Sequence, residues 1–443
     1  MFNKYRFDLS DTIRLSIPII IAQLGVVLMG VTDNLFVGRL LGAVPLGAAG
    51  LANSLSILVC SVGIGSLSVV AAQVSQANAQ HDSGAVNQLF RAGLQVAVLL
   101  GLITCVVSVV LALNFELFGQ TAEVTRLSRD FMLILTISIV PLLVFIAARQ
   151  LGDGLRFPRV AMAITLAALA LNALFNYLLI LGIGPFPAMG LMGSATATLL
   201  SRVFMAGAVL VYTYRAGIFK PYFQAAFAKL PTRQYVLDTL RLGLPGGLTF
   251  MFEIALFSLA ALMIGWLGEK QLAAHQIAIN LASTTYMAAT GIATTAAIRV
   301  GAATGRQSQT EARRAGVAAF ILTVSVMAVF ALVFFTANRW LVDLYIRDNT
   351  EVANIATSLV IMGGLFQLSD GVQVVAVGSL RGLSDVNVPT WITLFSYWVV
   401  AMPLSYLLGF TFHLNAVGVW VGLLVGLTVA AVMLTIRFFR LVK

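Results

Sequence analysis

Three carboxyl groups lie well inside long apolar stretches of this chain: those of Asp33, Glu253 and Asp370. The other 14 of its 17 acidic residues fall in polar segments between those stretches or at their ends. Holding an ionised carboxylate at membrane depth costs roughly 3 kcal/mol, so such groups mark ion or proton translocation or the gating of a transported molecule. Neutralisation by a neighbouring base would be the structural alternative. Only one basic residue, Arg202, sits comparably deep, so at most one acid can be satisfied that way.

Each acid has polar company. For Asp33 the candidates are Asn172 and Asn176, four residues apart and so on one helix face, with Asn53 and Ser194 in other spans. Amides of this kind join a carboxylate in a proton-dependent hydrogen-bond network, or act as contacts between helices. Glu253 follows Phe250, Met251 and Phe252 and precedes Phe257, while Asp370 is flanked three residues away by Gln367 and Gln373. Gln276, Asn280 and Tyr286 share one further span. Two carboxylates with phenol and amide oxygens offer the hard oxygen ligands of a small cation such as Na⁺. The aromatic and Met side chains, Phe252 among them, can line an adaptable apolar cavity that Gln276, Asn280 and Gln367 would edge. Pro18, 15 residues before Asp33, lacks the backbone N–H that would straighten its helix and is a candidate hinge.

The elements that must hold these groups follow from hydropathy. Of 443 residues, 60% are hydrophobic and 10% charged, which excludes a soluble fold. Apolar stretches of about 20 residues, each long enough for a hydrocarbon core of roughly 30 Å, recur along the whole chain. Polar breaks near 38–46, 78–87, 114–130, 149–159, 182–187, 214–236, 266–271, 301–314, 336–350, 379–390 and 409–416 predict twelve transmembrane helices. Cys60 and Cys105 both fall in apolar spans and form neither a disulfide framework nor a metal site. The opening MFNKYRFDLSDTIRL is polar and leads straight into a span, so no cleavable leader is expected there.

The net charge of +10 is a matter of topology, not of nucleic-acid binding. Alternate segments, counted with the N- and C-terminal ends, hold 20 of the 27 basic residues; the opposite breaks hold Arg39, Arg126, Arg129, Lys270, Arg339 and Arg347. The positive-inside rule then places both termini in the cytoplasm.

The chain also repeats itself. RLSIP at 14–18 returns as RLGLP at 241–245, and the same offset of 227 carries Gly38 onto Gly265 and Asn53 onto Asn280. Offsets of 228 and 229 carry Gly154 onto Gly382, Gly190 onto Gly418, and Tyr177-Leu178-Leu179 onto Tyr406-Leu407-Leu408. Two six-span halves are expected, an N-lobe at 1–214 and a C-lobe at 236–443, joined by a cytoplasmic linker at 215–235. Six is even, so both halves enter from one face, with a substrate path between them. Within the linker, YFQAAFAKL is expected to form a short helix lying on the membrane surface. The acids do not repeat: Asp33 aligns with Ala260, Glu253 with Val26, and Asp370 with Pro141–Leu142. Groups added to one copy of a duplicated scaffold point to function, not folding.

Taken with its RLSIP and RLGLP openings, TDNLFVGRL at 32–40, AAHQIAIN at 273–280, GLRFPRVAM at 154–162 and LRGLSDVNVP at 380–389, the chain resembles the multidrug and toxic compound extrusion (MATE) family, and within it the bacterial NorM-like branch. The resemblance implies an all-α integral membrane protein of two pseudo-symmetric six-helix lobes. It implies a secondary antiporter, not an enzyme, that exports amphipathic or cationic organic compounds from the bacterial inner membrane in exchange for H⁺ or Na⁺. It further implies that Glu253 and Asp370 belong to a C-lobe cation site, that Tyr286 contacts cation or drug, and that Asp33 takes part in proton-driven release. Asn176 stands where archaeal relatives carry a second aspartate. No organic cofactor and no nucleic acid are expected, and the working form is expected to be a monomer. The alternative is a lipid-linked oligosaccharide flippase of the same superfamily, whose cavity should be strongly cationic; here the embedded charges are mostly acidic.

Overall fold

The computed structural model describes residues 2–223, 232–346 and 349–443, and among them every regular element is helical. Twelve long helical spans run in order: α1 Phe2–Leu41, α2 Ala43–Ala79, α3 Ser83–Leu113, α4 Ala122–Gly154, α5 Pro158–Leu181, α6 Leu191–Arg215, α7 Arg233–Trp266, α8 Glu269–Gly305, α9 Gln309–Thr336, α10 Thr350–Gly382, α11 Asn387–Thr411 and α12 Asn415–Leu441. Eleven are long and apolar enough to cross a membrane; the exception is the 37-residue α8, whose sequence is dense in Thr, Ser, Gln and Asn. The protein is a multi-pass membrane protein. On α3, Leu102, Val106, Val110 and Leu113 form an exposed apolar stripe at helical spacing, while Phe90, Val96, Ala97 and Leu100 are buried among neighbouring helices.

The internal repeat survives as repeated contacts. Gly154 ends α4 where a Cβ would stand 2.7 Å from the Ala71 carbonyl oxygen and 2.9 Å from Val74 of α2. Gly382 ends α10 where a Cβ would stand 2.8 Å from the Ala297 carbonyl oxygen and 2.7 Å from Val300 of α8. Ala297 and Val300 follow Ala71 and Val74 by the same 226 residues. The turns repeat as well. Helices α2 and α8 lead into His81 and Gln307, both in the left-handed region at φ 58° and 55°. The next residues, Asp82 and Ser308, cap α3 and α9 by accepting from the Ala85 and Glu311 amides.

Two compact units emerge, with boundaries that differ from the six-span halves expected at 1–214 and 236–443. One, the N-terminal unit, is Ile21–Leu248; the other, the C-terminal unit, combines Met1–Ile20 with Thr249–Lys443. Both cuts fall inside long helices, two residues beyond Pro18 in α1 and three beyond Pro245 in α7. Small residues explain the exchange. The first part of α1 packs in the C-terminal unit, with Ile20 against Gly291 and Ser16 donating to Thr295 Oγ1 at 3.0 Å. Asp8 there meets Arg299 at 2.6 Å and Arg314 at 3.1 Å. The first part of α7 packs in the N-terminal unit, where a Cβ on Gly243 would stand 2.6 Å from the Ser66 carbonyl oxygen.

Most of the YFQAAFAKL stretch, residues 224–230, lies outside the described residues. Of its first two residues, Phe223 is buried, packing edge-on against Phe90, and Tyr222 donates 2.8 Å to Asn78 Oδ1.

Candidate functional site

In the N-terminal unit Asp33 sits past the middle of α1 and is buried. Asn172 and Asn176, one turn apart on α5, both donate to its Oδ1, at 3.0 and 2.7 Å. Thr198 of α6 donates to Oδ2 at 2.6 Å. Three donors on one carboxylate suit the ionised form, which only accepts. The amide oxygens of Asn172 and Asn176 are buried without a partner, so the same cage also carries unused acceptors.

Thr198 is a residue that sequence reasoning missed. Ser194, which it singled out, leaves its hydroxyl without a partner; its carbonyl instead accepts from Thr198 at 3.2 Å. Asn53 on α2 is half-buried and makes no hydrogen bond to Asp33. The spacing Ser194 to Thr198, one helical turn, carries the signal: any hydroxyl on that face was a candidate.

In the C-terminal unit Glu253 of α7 is buried and accepts a 2.6 Å hydrogen bond from the Tyr286 hydroxyl of α8. Asp370 of α10 is buried too, and its Oδ1 has no partner. Glu253 is the charged neighbour that acts on Asp370. Gln367 and Gln373, one turn to either side of Asp370, are buried; Gln367 leaves both amide atoms unpaired and Gln373 its oxygen. These unpaired oxygens, beside two carboxyl groups, are of the chemical type that could hold a small cation. Phe257 and Phe366 stack edge-on beside it, and Phe252 packs on the core of this unit.

Two residues here escaped the sequence. Tyr397 of α11 is fully buried with its hydroxyl unpaired, and it feels the charges of Glu253 and Asp370. It lies in a π-helical stretch, Phe395–Ala401, a distortion that re-aims side chains and recurs at functional sites. Arg381, in the last turn of α10, acts electrostatically on Glu253. It corrects the expectation that Arg202 is the only base able to reach an embedded acid, because its long side chain extends inward from a span end. Gln276 and Asn280 are exposed and bonded to each other at 3.3 Å. With Ser283 and Thr284 they form an exposed polar stripe on α8. Among the described residues no three His, Cys, Asp or Glu side chains gather as a metal site.

A single family model, MatE, matches the chain twice, over residues 18–178 and 245–407. This chain belongs to the MatE family. Both matched stretches open on a proline, Pro18 or Pro245, and each includes one of the two glycines that carry the repeated contacts, Gly154 or Gly382. The chain is similar to the probable multidrug resistance protein NorM of Agrobacterium fabrum, 33% identical over 98% of this chain and 94% of the relative. The corresponding NorM of Pseudomonas putida is 34% identical over 97% and 94%. Among solved structures, the eukaryotic MATE transporter AtDTX14 superposes with a TM-score of 0.90 at 19% identity, covering 99% of this chain and 96% of that one. An outward-facing multidrug resistance MATE family transporter superposes at 0.88 with 20% identity, covering 98% and 96%. At these identities the superpositions establish the MatE fold.

Proposed function

We propose that this MatE protein exports amphipathic, often cationic, organic compounds across the bacterial cytoplasmic membrane in exchange for H⁺ or Na⁺. The family and the multidrug resistance names of its NorM relatives support the substrate class. The single observation that carries the coupling is the Asp33 cage, an acid at membrane depth with three donors and two spare acceptors. Ionised, Asp33 is held by the donors already in place. A proton arriving at a carboxylate oxygen turns that oxygen into a donor, and a rotation of the Asn172 or Asn176 amide presents an acceptor to it. The two states therefore need different side-chain arrangements, and a proton shifts the balance by its differential affinity for them.

The second coupling group is the C-terminal cluster. Glu253 and Asp370 supply the charge, and Tyr286, Tyr397 and the Gln367 amide supply neutral oxygens for a Na⁺ that is transported, not resident. The stripe of Gln276, Asn280, Ser283 and Thr284 is read as facing a hydrated substrate path, since polar groups at membrane depth are rarely turned to lipid. Pro18 lets α1 bend between states, and both termini lie in the cytoplasm, as the basic bias of alternate segments requires. The protein acts as a monomer.

The test is efflux of a fluorescent quaternary aromatic cation from liposomes holding the purified protein, with Na⁺ and pH gradients imposed separately. Efflux driven by at least one gradient is expected, and the more effective gradient names the coupling ion. Movement that ignores both gradients refutes antiport.

A further inference from the structure

Arg202 is a membrane-depth cation that none of the steps above uses. It follows Thr198 on α6 by one helical turn, so it shares the face whose hydroxyl is bonded to Asp33. Its Nη1 donates 2.7 Å to Ser138 Oγ, at the break in the middle of α4, and Ser138 passes a 2.6 Å hydrogen bond to the Leu135 carbonyl. Among the described residues it forms no ion pair within 4.0 Å. A guanidinium does not deprotonate in a protein, so it must find a counter-charge or bear an effective desolvation penalty of several kcal/mol.

The groups that act on it are few. They are the Asp33 carboxyl and the Cys60 thiol of α2. From the side of Asp33, the facing groups are Asn172 and Asn176 of α5 and Thr198 and Arg202 of α6, of which Arg202 alone is charged. Cys105 of α3 acts on Cys60. A thiol is neutral near pH 7, which leaves Asp33 as the counter-charge.

We propose that Arg202 is the counter-cation of Asp33, pinned by Ser138, and that it sets the proton concentration at which the N-terminal unit switches. The proposal rests on the reading of Asp33 as a coupling acid. Its consequence is a change in sign. With Asp33 ionised the pair is neutral overall; with Asp33 protonated the site carries the uncompensated charge of Arg202. Each proton delivered therefore adds a local field that repels an organic cation. Without Arg202 the same proton only cancels a negative charge.

The experiment measures efflux of the fluorescent aromatic cation by full-length protein in liposomes across a range of pH, for the natural protein, Arg202→Gln, Arg202→Lys, Ser138→Ala and Asp33→Asn. Losing the cation makes the carboxylate easier to protonate, so Arg202→Gln should move the midpoint to more alkaline pH by about one unit, a tenfold change in proton concentration. Arg202→Lys, which keeps the charge, should restore most of the original midpoint, and Ser138→Ala should give a smaller alkaline shift. An unmoved midpoint in Arg202→Gln, or equal shifts in the Gln and Lys variants, overturns the proposal. If Arg202→Gln does not accumulate, the Ser138→Ala midpoint decides: an alkaline shift supports the proposal and an unmoved or acid-shifted one overturns it. Asp33→Asn separates the two layers. Efflux abolished there with an unmoved Arg202→Gln midpoint rejects Arg202 alone, whereas full efflux in Asp33→Asn rejects the role of Asp33 itself.

Discussion

Replacing Asp33 by Asn should abolish coupled efflux and leave the protein folded, and the cage shows why. An asparagine placed with its oxygen at the Oδ1 position still accepts from Asn172 and Asn176, now held at 3.0 and 2.7 Å. Its amide nitrogen falls at the Oδ2 position, opposite the Thr198 hydroxyl. That hydroxyl has a second acceptor already in reach, the Ser194 carbonyl at 3.2 Å, so it can turn there and accept from the new amide. No hydrogen-bonding group of the cage is orphaned, although Arg202 loses its counter-charge. The loss is the difference between charge-assisted and neutral hydrogen bonds together with the counter-charge of Arg202, offset by the relief of not burying a carboxylate, and we expect a net cost of about 1–2 kcal/mol, shared by any replacement that removes the charge. Asp33→Ala is the informative contrast. Asn176 keeps its 2.9 Å bond to the Asn172 carbonyl and Thr198 keeps Ser194, but the Asn172 amide loses the one hydrogen bond it donates from its side chain. One orphaned buried donor costs about 1–3 kcal/mol. Thermal unfolding in detergent, alongside efflux from liposomes, checks both halves of the argument. Normal efflux by the Asp33→Asn variant refutes the coupling role. Equal destabilisation by the Asn and Ala replacements refutes the reading of the cage.

Glu253 and Asp370 should behave as one unit: either amide variant should lose about as much efflux as the double variant, and additive losses in a double-mutant cycle would assign the two acids to separate steps. Pro18→Ala should restore a backbone hydrogen bond in α1, leaving equilibrium drug affinity intact while turnover falls; unchanged efflux would retire the hinge. Gly154→Ala and Gly382→Ala each force a methyl to within 3 Å of a backbone carbonyl oxygen on the neighbouring helix, so each should destabilise the protein by about 1–3 kcal/mol. Because the contacts are repeated, the two losses should be similar, and thermal unfolding of both variants tests whether the halves use the same packing.

Several features are legible in the sequence because they are local. Twelve spans follow from runs of apolar residues, since one such run is all a helix needs to cross a bilayer. The pairing of Asn172 with Asn176 follows from a period of 3.6 residues, and the duplication follows from ordered matches such as Gly154 with Gly382. The special standing of Asp33, Glu253 and Asp370 follows from the cost of charge in hydrocarbon.

What only the tertiary structure decided is which side chains from different helices meet. Periodicity assigns Ser194 and Thr198 to one face of α6 without saying which turn comes level with Asp33; in the folded protein Thr198 is the one that reaches it, at 2.6 Å. Tyr397 joins the acids because a π-helical stretch re-aims part of α11, and no residue pattern announced that distortion. Arg381 reaches Glu253 from a span end because a long side chain is free to fold inward, which residue position alone does not show. The largest difference, the exchange of the first parts of α1 and α7 between units, has the same origin. A hydropathy profile sees one uninterrupted helix in each case, whereas Gly243 and Gly291 allow backbones to approach closely at places far apart in sequence.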